Sequence, residues 1–193
     1  MSSFPLLKLP FLALEIVLLS MDCSDLVEYS LCSQKCKQTL KSLKLPYKRV
    51  EVHINWACQS VLLKKGIGYH CHNWGFAATH WPRDNTRVEN VGKLRLEYAR
   101  SNARFIIRKS NNQGLQMKAV LDHMMETFKI EKLYVFILCD KLPNLSNYVQ
   151  AFPKCELIQC TGKNTVAKED YQLLRDNVTA RIFNFLAPFE SGN

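Results

Sequence analysis

The stretch LPFLALEIVLLSM, residues 9–21, is apolar on almost every side and carries a single charge, Glu15. A surface helix usually has one apolar stripe, so a helix that is apolar all round must be buried on all sides. A bilayer, the chain's own core or a second protein could provide that cover. The choice among them decides how the N-terminal part of the chain folds and what it does.

A secretory signal or a membrane span fits residues 9–21 poorly. Pro5 and Pro10 interrupt the start of the apolar block, and apart from this opening stretch no apolar run approaches the roughly 18 residues that a bilayer requires. A charge such as Glu15 at the centre of a membrane helix costs about 2.5–3.5 kcal/mol on insertion scales. No small-x-small cleavage site follows, and the glycosylation sequons at Asn144 and Asn177 are short enough to arise by chance. We therefore expect protein, not lipid, to cover this segment.

The residues that follow predict two more short helices. Pro10 suits the first turn of a helix that ends near Met21, and the run from Asp22 to Asp25 offers a turn and N-cap for a second helix. QKCKQTLKSLKL is amphipathic and predicts a third helix, which Pro46 ends. Three short helices in about 40 residues cannot hide their own apolar surface, so we expect a partner on one side of the first: Leu9, Leu14, Val17 and Leu18.

These residues resemble the F-box family. The F-box pattern has a Leu-Pro start, spaced aliphatic residues, an Asp-Leu pair about fifteen residues later, and a short helix with Ser or Cys. The opening FPLLKLP and the segment SLCSQKCK of this chain are similar to the corresponding segments in a nematode group of F-box proteins. One difference is that Cys36 stands where many F-boxes have Trp. The matching positions are Leu9, Pro10, Leu14, Val17, Leu18, Met21, Asp25, Leu26, Val27, Ser30 and Leu31.

The resemblance implies that the chain binds an SKP-family adaptor, and through it a cullin scaffold of a ubiquitin ligase. The remainder of such a chain captures a protein substrate and raises its effective concentration near the ubiquitin-conjugating enzyme. This role needs no catalytic residue, no cofactor and no membrane, and it places the protein in the cytoplasm or nucleus. The residues that the resemblance assigns to the adaptor are Leu9, Pro10, Leu14, Val17, Leu18, Asp25, Leu26 and Leu31.

From residue 46 onward the hydrophobic period changes. Alternation predicts strands in YKRVEVHI, KLRLEYA, ARFIIRK, KLYVFIL, CELIQC and ARIFNFL, and helical spacing predicts helices in GLQMKAVLDHMMETF, LSNYVQAF and AKEDYQLLRDNV. The segment GIGYHCHNWGFAATHWPRDN is turn-rich and aromatic. The predicted fold class is therefore α+β: a three-helix F-box over 4–45, then an α/β domain of strand-helix units over 46–193.

The spacing of these units resembles a leucine-rich-repeat-like array, although the L-x-x-L-x-L signature is missing. In the nematode group this region corresponds to the F-box-associated, substrate-binding domain. An array that stops at APFESGN lacks a terminal cap, which indicates a fragment or a short isoform.

Charge is concentrated in the middle of the chain, since residues 46–112 hold 12 basic and 4 acidic side chains. A solvated basic surface explains this most simply, but an acidic protein partner or a nucleic acid would also fit. Weak candidates for substrate contact are Trp74, Trp81, Arg83 and Arg87, because aromatic and Arg side chains dominate binding surfaces. The alternative function is a basic nucleic-acid-binding protein whose apolar N-terminal segment oligomerises.

Metal and enzyme sites have little support. The 8 cysteines form no CxxC pair and are expected to be reduced, buried thiols. His70, Cys71 and His72, with Cys58 and His80 nearby, could suggest zinc, but they lack paired ligand spacing and we expect no metal. No P-loop, G-x-G-x-x-G or G-x-S-x-G motif occurs, so we expect no enzyme.

Overall fold

The structure is a computed structural model, and it describes residues 6–55, 59–65, 70–77, 86–101, 104–108, 112–139, 145–152, 154–163 and 168–188. A 3-10 turn at Leu6–Lys8 leads into the helices α1 (Phe11–Ser20), α2 (Cys23–Cys32) and α3 (Gln34–Ser42). None of the helices in these ranges combines the length and the apolar character that a membrane crossing needs. The three predicted N-terminal helices are confirmed.

Local capping explains where these helices begin. The Asp22 carboxylate accepts a hydrogen bond from the Asp25 N–H at 2.8 Å, and the Ser33 hydroxyl accepts one from the Cys36 N–H at 3.1 Å. Each bond satisfies a backbone donor that the first turn of a helix leaves free. Pro10 precedes α1, where its missing N–H removes no helical hydrogen bond.

The described residues after α3 form a nine-stranded sheet and three helices. The helices are α4 (Gln113–Thr127), α5 (Ser146–Val149) and α6 (Lys168–Asn177). The sheet order is β4-β5-β6-β3-β2-β1-β7-β8-β9. The strands are β1 (Arg49–Ile54), β2 (Gln59–Lys64), β3 (His70–Ala77), β4 (Thr86–Val91), β5 (Leu94–Ser101), β6 (Arg104–Arg108), β7 (Leu133–Leu138), β8 (Lys154–Thr161) and β9 (Thr179–Phe185).

The sheet has two halves with different connections. Strands β1, β7, β8 and β9 are parallel neighbours. Helices α4, α5 and α6 precede β7, β8 and β9 in the chain, so the predicted strand-helix units are confirmed there. Strands β1 to β6 pair in an antiparallel manner except for the parallel pair β3–β6. The repeating arrangement therefore covers only part of residues 46–193, and the mixed α+β class is confirmed.

Three strands were not predicted from the sequence. Strand β2 is buried along its whole length, so it shows no alternation of apolar and polar residues. Strand β3 lies inside the segment that was interpreted as turn-rich, where polar residues and Gly75 mask its pattern. Strand β4 is mostly exposed, and its charged residues Arg87 and Glu89 lie on the same side, so no regular apolar stripe marks it.

One face of the sheet packs against the helices to form the core. Val50, Val52 and Ile54 of β1 lie in this core, whereas Glu51 and His53 point to the opposite face because side chains alternate along a strand. The three N-terminal helices share the same hydrophobic cluster through Leu14, Leu18, Leu26 and Leu40. Helix α2 is the one that contacts strands, namely β3 and β4, among the more extensive contacts of the described residues.

An aromatic group anchors the antiparallel half of the core. The indole of Trp74 is 1% exposed and stacks on Phe105 with ring centroids 4.7 Å apart. Tyr98 packs edge-on against Phe105 at 5.3 Å. These three rings come from β3, β5 and β6, so they connect strands that are distant in sequence.

Candidate functional site

Helix α1 has one face buried by the chain and one face open. Leu14 and Leu18 are 5% and 0% exposed. The open face is formed by four large apolar side chains, and all four fall within one half of the helix at 100° per residue. They are Phe11 (53% exposed), Leu12 (72%), Ile16 (70%) and Leu19 (49%).

This arrangement differs from the face that the sequence predicted for the adaptor. Leu14, Leu18 and Leu26 lie in the chain's own core, so in this arrangement a partner could not reach them. Leu9, Val17 and Leu31 are partly exposed, and Pro10 is exposed. Asp25 keeps 45% of its side chain exposed while pairing with Arg100.

Sequence reasoning missed the four exposed side chains of α1. The helix is apolar at almost every position, so no stripe distinguishes the side toward the core from the side toward a partner. Only the packing of the folded core, which includes Leu14 and Leu18, distinguishes the inner side of α1. The inference that α1 has more apolar surface than the chain covers nevertheless holds, on a different face.

Acidic side chains of α2 hold the F-box helices to the sheet. Arg100 of β5 donates hydrogen bonds to Asp25 at 2.9 Å and to Glu28 at 3.0 Å, and Arg87 of β4 pairs with Glu28 at 3.3 Å. Such partly exposed pairs contribute about 0–1 kcal/mol each, so they orient α2 more than they stabilise it. Part of the basic excess in residues 46–112 is therefore neutralised by the F-box helices.

A second contact joins α3 to α4. Lys37 and Lys41 donate hydrogen bonds to the two oxygens of Glu126, at 2.6 and 3.0 Å. These hydrogen bonds hold the pKa of the Glu126 carboxyl below its usual range. The pairing fixes the rotation of α3 relative to the helix that covers the sheet.

Between these contacts lies a buried polar pair, Ser30 and His123. The Ser30 hydroxyl donates its proton to the Val27 carbonyl at 2.6 Å, so it accepts a hydrogen bond from Nε2–H of His123 at 2.8 Å. Burial, aided by the positive charge of Lys37, lowers the pKa of His123 to about 4. The imidazole is therefore neutral at pH 7.

We expect the packing of α2 on α4 to be acid-sensitive. The pKa of His123 is lower in the folded chain than the ordinary value of 6.5, so the unfolded chain binds a proton first. The stabilising effect is complete above pH 6.5 and is lost as the pH falls toward 4, with a total on the order of 3 kcal/mol. The measurement is the free energy of unfolding in urea between pH 7.5 and 4.

The matched variant is His123→Gln, whose amide N–H can still donate to Ser30 but does not titrate. Its unfolding free energy should fall less steeply over this pH range than that of the original chain. The carboxylates titrate in both proteins and cancel in the difference. Parallel pH profiles for the two proteins would contradict the assignment.

A buried charge cluster lies on the opposite face of the sheet. Glu51 is 5% exposed, and its carboxylate contacts Arg49 at 2.8 Å, His53 at 3.2 Å and Lys64 at 3.3 Å. Burial opposes its ionisation, but the hydrogen bonds from His53 and Arg49 and the charge of Lys64 prevail and lower the pKa of Glu51 to about 2. Each cation therefore faces a carboxylate that is ionised at pH 7.

The candidate substrate-binding residues have separate environments. Trp74 is in the core rather than on a surface, which gives it a packing role. Arg87 is 58% exposed and pairs with Glu28. Trp81 and Arg83 lie outside the described residues.

The histidines and cysteines considered as metal ligands in the sequence do not form a site that can be described. Cys58 and His80 lie outside the described residues, as do the side chains of His70, Cys71 and His72. Among the side chains that the structure describes, no group of three or more His, Cys, Asp or Glu could hold a metal ion. No disulfide bond joins any of the six cysteines that the structure describes.

Comparison with known families identifies the domain that the three N-terminal helices form. The family model of the F-box domain matches residues 6–48. This range contains α1, α2 and α3, so the F-box predicted from the sequence is confirmed. F-box domains bind SKP-family adaptors, and F-box proteins are typically non-catalytic. The finer resemblance to a nematode group with an associated domain stays a prediction. No curated protein and no solved structure matched the chain.

Proposed function

We propose that this chain is the substrate-recognition subunit of an SKP–cullin–F-box ubiquitin ligase. The observation that carries the proposal is the F-box match over residues 6–48 together with the exposed apolar face of α1. The described residues leave Phe11, Leu12, Ile16 and Leu19 between 49% and 72% exposed. Burying one such side chain contributes about 1.5–3 kcal/mol, which makes this face a strong binding surface for another apolar face.

The sheet supplies the substrate-binding part in this proposal. Its face opposite the helices carries two cation or imidazole contacts with aromatic rings. The Arg49 guanidinium lies 5.2 Å from the centre of the Tyr134 ring, and His53 stacks on Phe136 at 4.9 Å. Aromatic and Arg side chains are enriched where proteins bind each other, so this face is suited to a protein target.

No catalytic chemistry is assigned to the chain in this role. An adaptor accelerates ubiquitin transfer by raising the local concentration of substrate lysines near the charged enzyme. The proposed location is the cytoplasm or the nucleus, where the ligase assembles. The cullin scaffold is reached through the adaptor and not by direct contact with α1.

Co-expression of the full chain with an SKP-family adaptor tests the proposal. We expect the two to elute as one complex, and we expect the complex to persist when salt is raised, because apolar contacts are not screened. Nucleic-acid binding, the alternative function, would weaken steeply over the same salt range. Separate elution of adaptor and chain would overturn the adaptor role.

A further inference from the structure

A cavity lies where the ends of α3 and α4 meet the starts of β1 and β7. Its volume is about 430 Å³, and it is lined by residues 42–45, 47, 48 and 128–132. Buried Leu43, Tyr47, Phe128 and Ile130 form one wall. Tyr47 and Phe128 pack edge-to-face with centroids 5.1 Å apart. This volume lies within the usual range for small-ligand sites, about 300–1,000 Å³.

Four lysines line the cavity, namely Lys44, Lys48, Lys129 and Lys132, against one acidic residue, Glu131. A fifth, Lys65, has its Nζ 5.8 Å from the centre of the Tyr47 ring. Among the described residues none of the five has a carboxylate within 4.0 Å. Lys37 and Lys41, only a few residues earlier in α3, share Glu126 instead.

The local charge remains positive after every nearby negative group is included. The C-terminal ends of α3 and α4 each contribute about half a negative charge, and Glu131 contributes one. Four or five ammonium groups therefore leave an excess of at least about two positive charges. Like charges that converge on one cavity repel each other, and a bound dianion would remove that repulsion.

Phosphate fits this excess better than a carboxylate does. A phosphate monoester carries about −1.5 to −2 charges at pH 7 and three acceptor oxygens, and Lys is a frequent phosphate ligand. A nucleic acid instead requires basic groups that follow an extended backbone, whereas these four lysines line a single cavity. The apolar part of the cavity lining is available to the group that carries the phosphate.

We propose that this cavity is a binding site for a phosphate monoester. Lys48, Lys129 and Lys132 neutralise the phosphate, and the organic part packs against the wall that contains Tyr47 and Phe128. The site is formed by residues outside the exposed face of α1. It is therefore independent of the adaptor proposal, and each can fail without the other.

Calorimetric titration of the full chain tests the site at constant ionic strength. The probes are inorganic phosphate, phenyl phosphate and phenol, and we expect phenyl phosphate to bind more tightly than inorganic phosphate, with no binding of phenol. The variant Lys48→Ala, Lys129→Ala, Lys132→Ala should bind phenyl phosphate at least tenfold more weakly. The control variant Lys93→Ala, Lys154→Ala, Lys168→Ala makes the same change in net charge at exposed positions elsewhere, and it should bind within twofold of the original chain.

A phosphotyrosine peptide and its unphosphorylated twin distinguish the source of the phosphate. Binding of the phosphopeptide at least as tightly as phenyl phosphate supports a phosphate carried on a protein, and preference for phenyl phosphate supports a free small molecule. Equal weakening of phenyl phosphate binding in both lysine variants would mean that binding depends only on the net charge of the protein, and it would overturn the site. No binding of either phosphate ester, or displacement of both by a single-stranded oligonucleotide that binds more tightly, would overturn it as well. Thermal unfolding of both variants, expected to be unchanged, checks that the exposed substitutions leave the fold intact.

Discussion

The double variant Leu12→Asp, Ile16→Asp should lose binding to an SKP-family adaptor by a factor of at least one hundred. The two side chains are 72% and 70% exposed in the chain alone, and in the proposed complex they are buried. Losing two such apolar contacts removes about 3–6 kcal/mol, and each tenfold loss in affinity corresponds to about 1.4 kcal/mol. The measurement is the dissociation constant of the adaptor complex by calorimetry.

The same variant should leave the chain folded. Both positions face away from the core, and the carboxylate introduced by Leu12→Asp would lie in the first turn of α1, where a negative charge interacts favourably with the helix dipole. A matched control is Leu115→Asp with Leu186→Asp, which alters exposed apolar residues on α4 and after β9 and should preserve adaptor binding. By contrast, Leu14→Asp buries a charge in the core and should unfold the N-terminal helices. Undiminished binding of Leu12→Asp, Ile16→Asp would place the interface elsewhere.

Replacing Trp74 by Ala should destabilise the chain by about 3–5 kcal/mol, the usual cost of removing a buried aromatic ring. The indole is 1% exposed and stacks on Phe105, and a ring contact with Tyr98 at 5.9 Å joins it to β5. Its loss leaves a cavity between β3, β5 and β6 that these strands cannot close. The measurement is the free energy of unfolding in urea at pH 7.

Phe136→Ala provides the control, because this partly exposed ring lies on the opposite face of the sheet and outside the core cluster. We expect it to lower the unfolding free energy by less than half as much as Trp74→Ala does. Equal losses in the two variants would mean that Trp74 is not the anchor of this core. Unchanged stability of Trp74→Ala would make Trp74 a candidate for substrate contact at the surface again.

Local features of this chain could be predicted because neighbouring residues determine them. Asp22 and Ser33 cap helices whose starts follow from a single hydrogen bond to the backbone. Alternating Val50, Val52 and Ile54 define β1 without reference to any other element. The parallel strands β7, β8 and β9 could be predicted for the same reason, because segments with the hydrophobic period of a strand alternate along the sequence with segments that have the period of a helix.

Features that depend on distant residues could not be predicted. The open face of α1 is the side left over when Leu14 and Leu18 enter the core, and its uniformly apolar sequence does not mark that face. The pairing of Asp25 with Arg100 joins residues 75 positions apart, so neither residue alone indicates it. Trp74 lies in a segment rich in polar residues and turns, and its burial follows only from the pairing of β3 with β6.

The most direct measurement of the central claim is hydroxyl-radical footprinting of the full chain with and without an SKP-family adaptor. We expect modification of Phe11, Leu12, Ile16 and Leu19 to fall strongly on addition of the adaptor, with that of exposed Leu115 and Leu186 unchanged. Protection of Leu115 or Leu186 while the four residues of α1 remain reactive would contradict the claim that this face binds the adaptor.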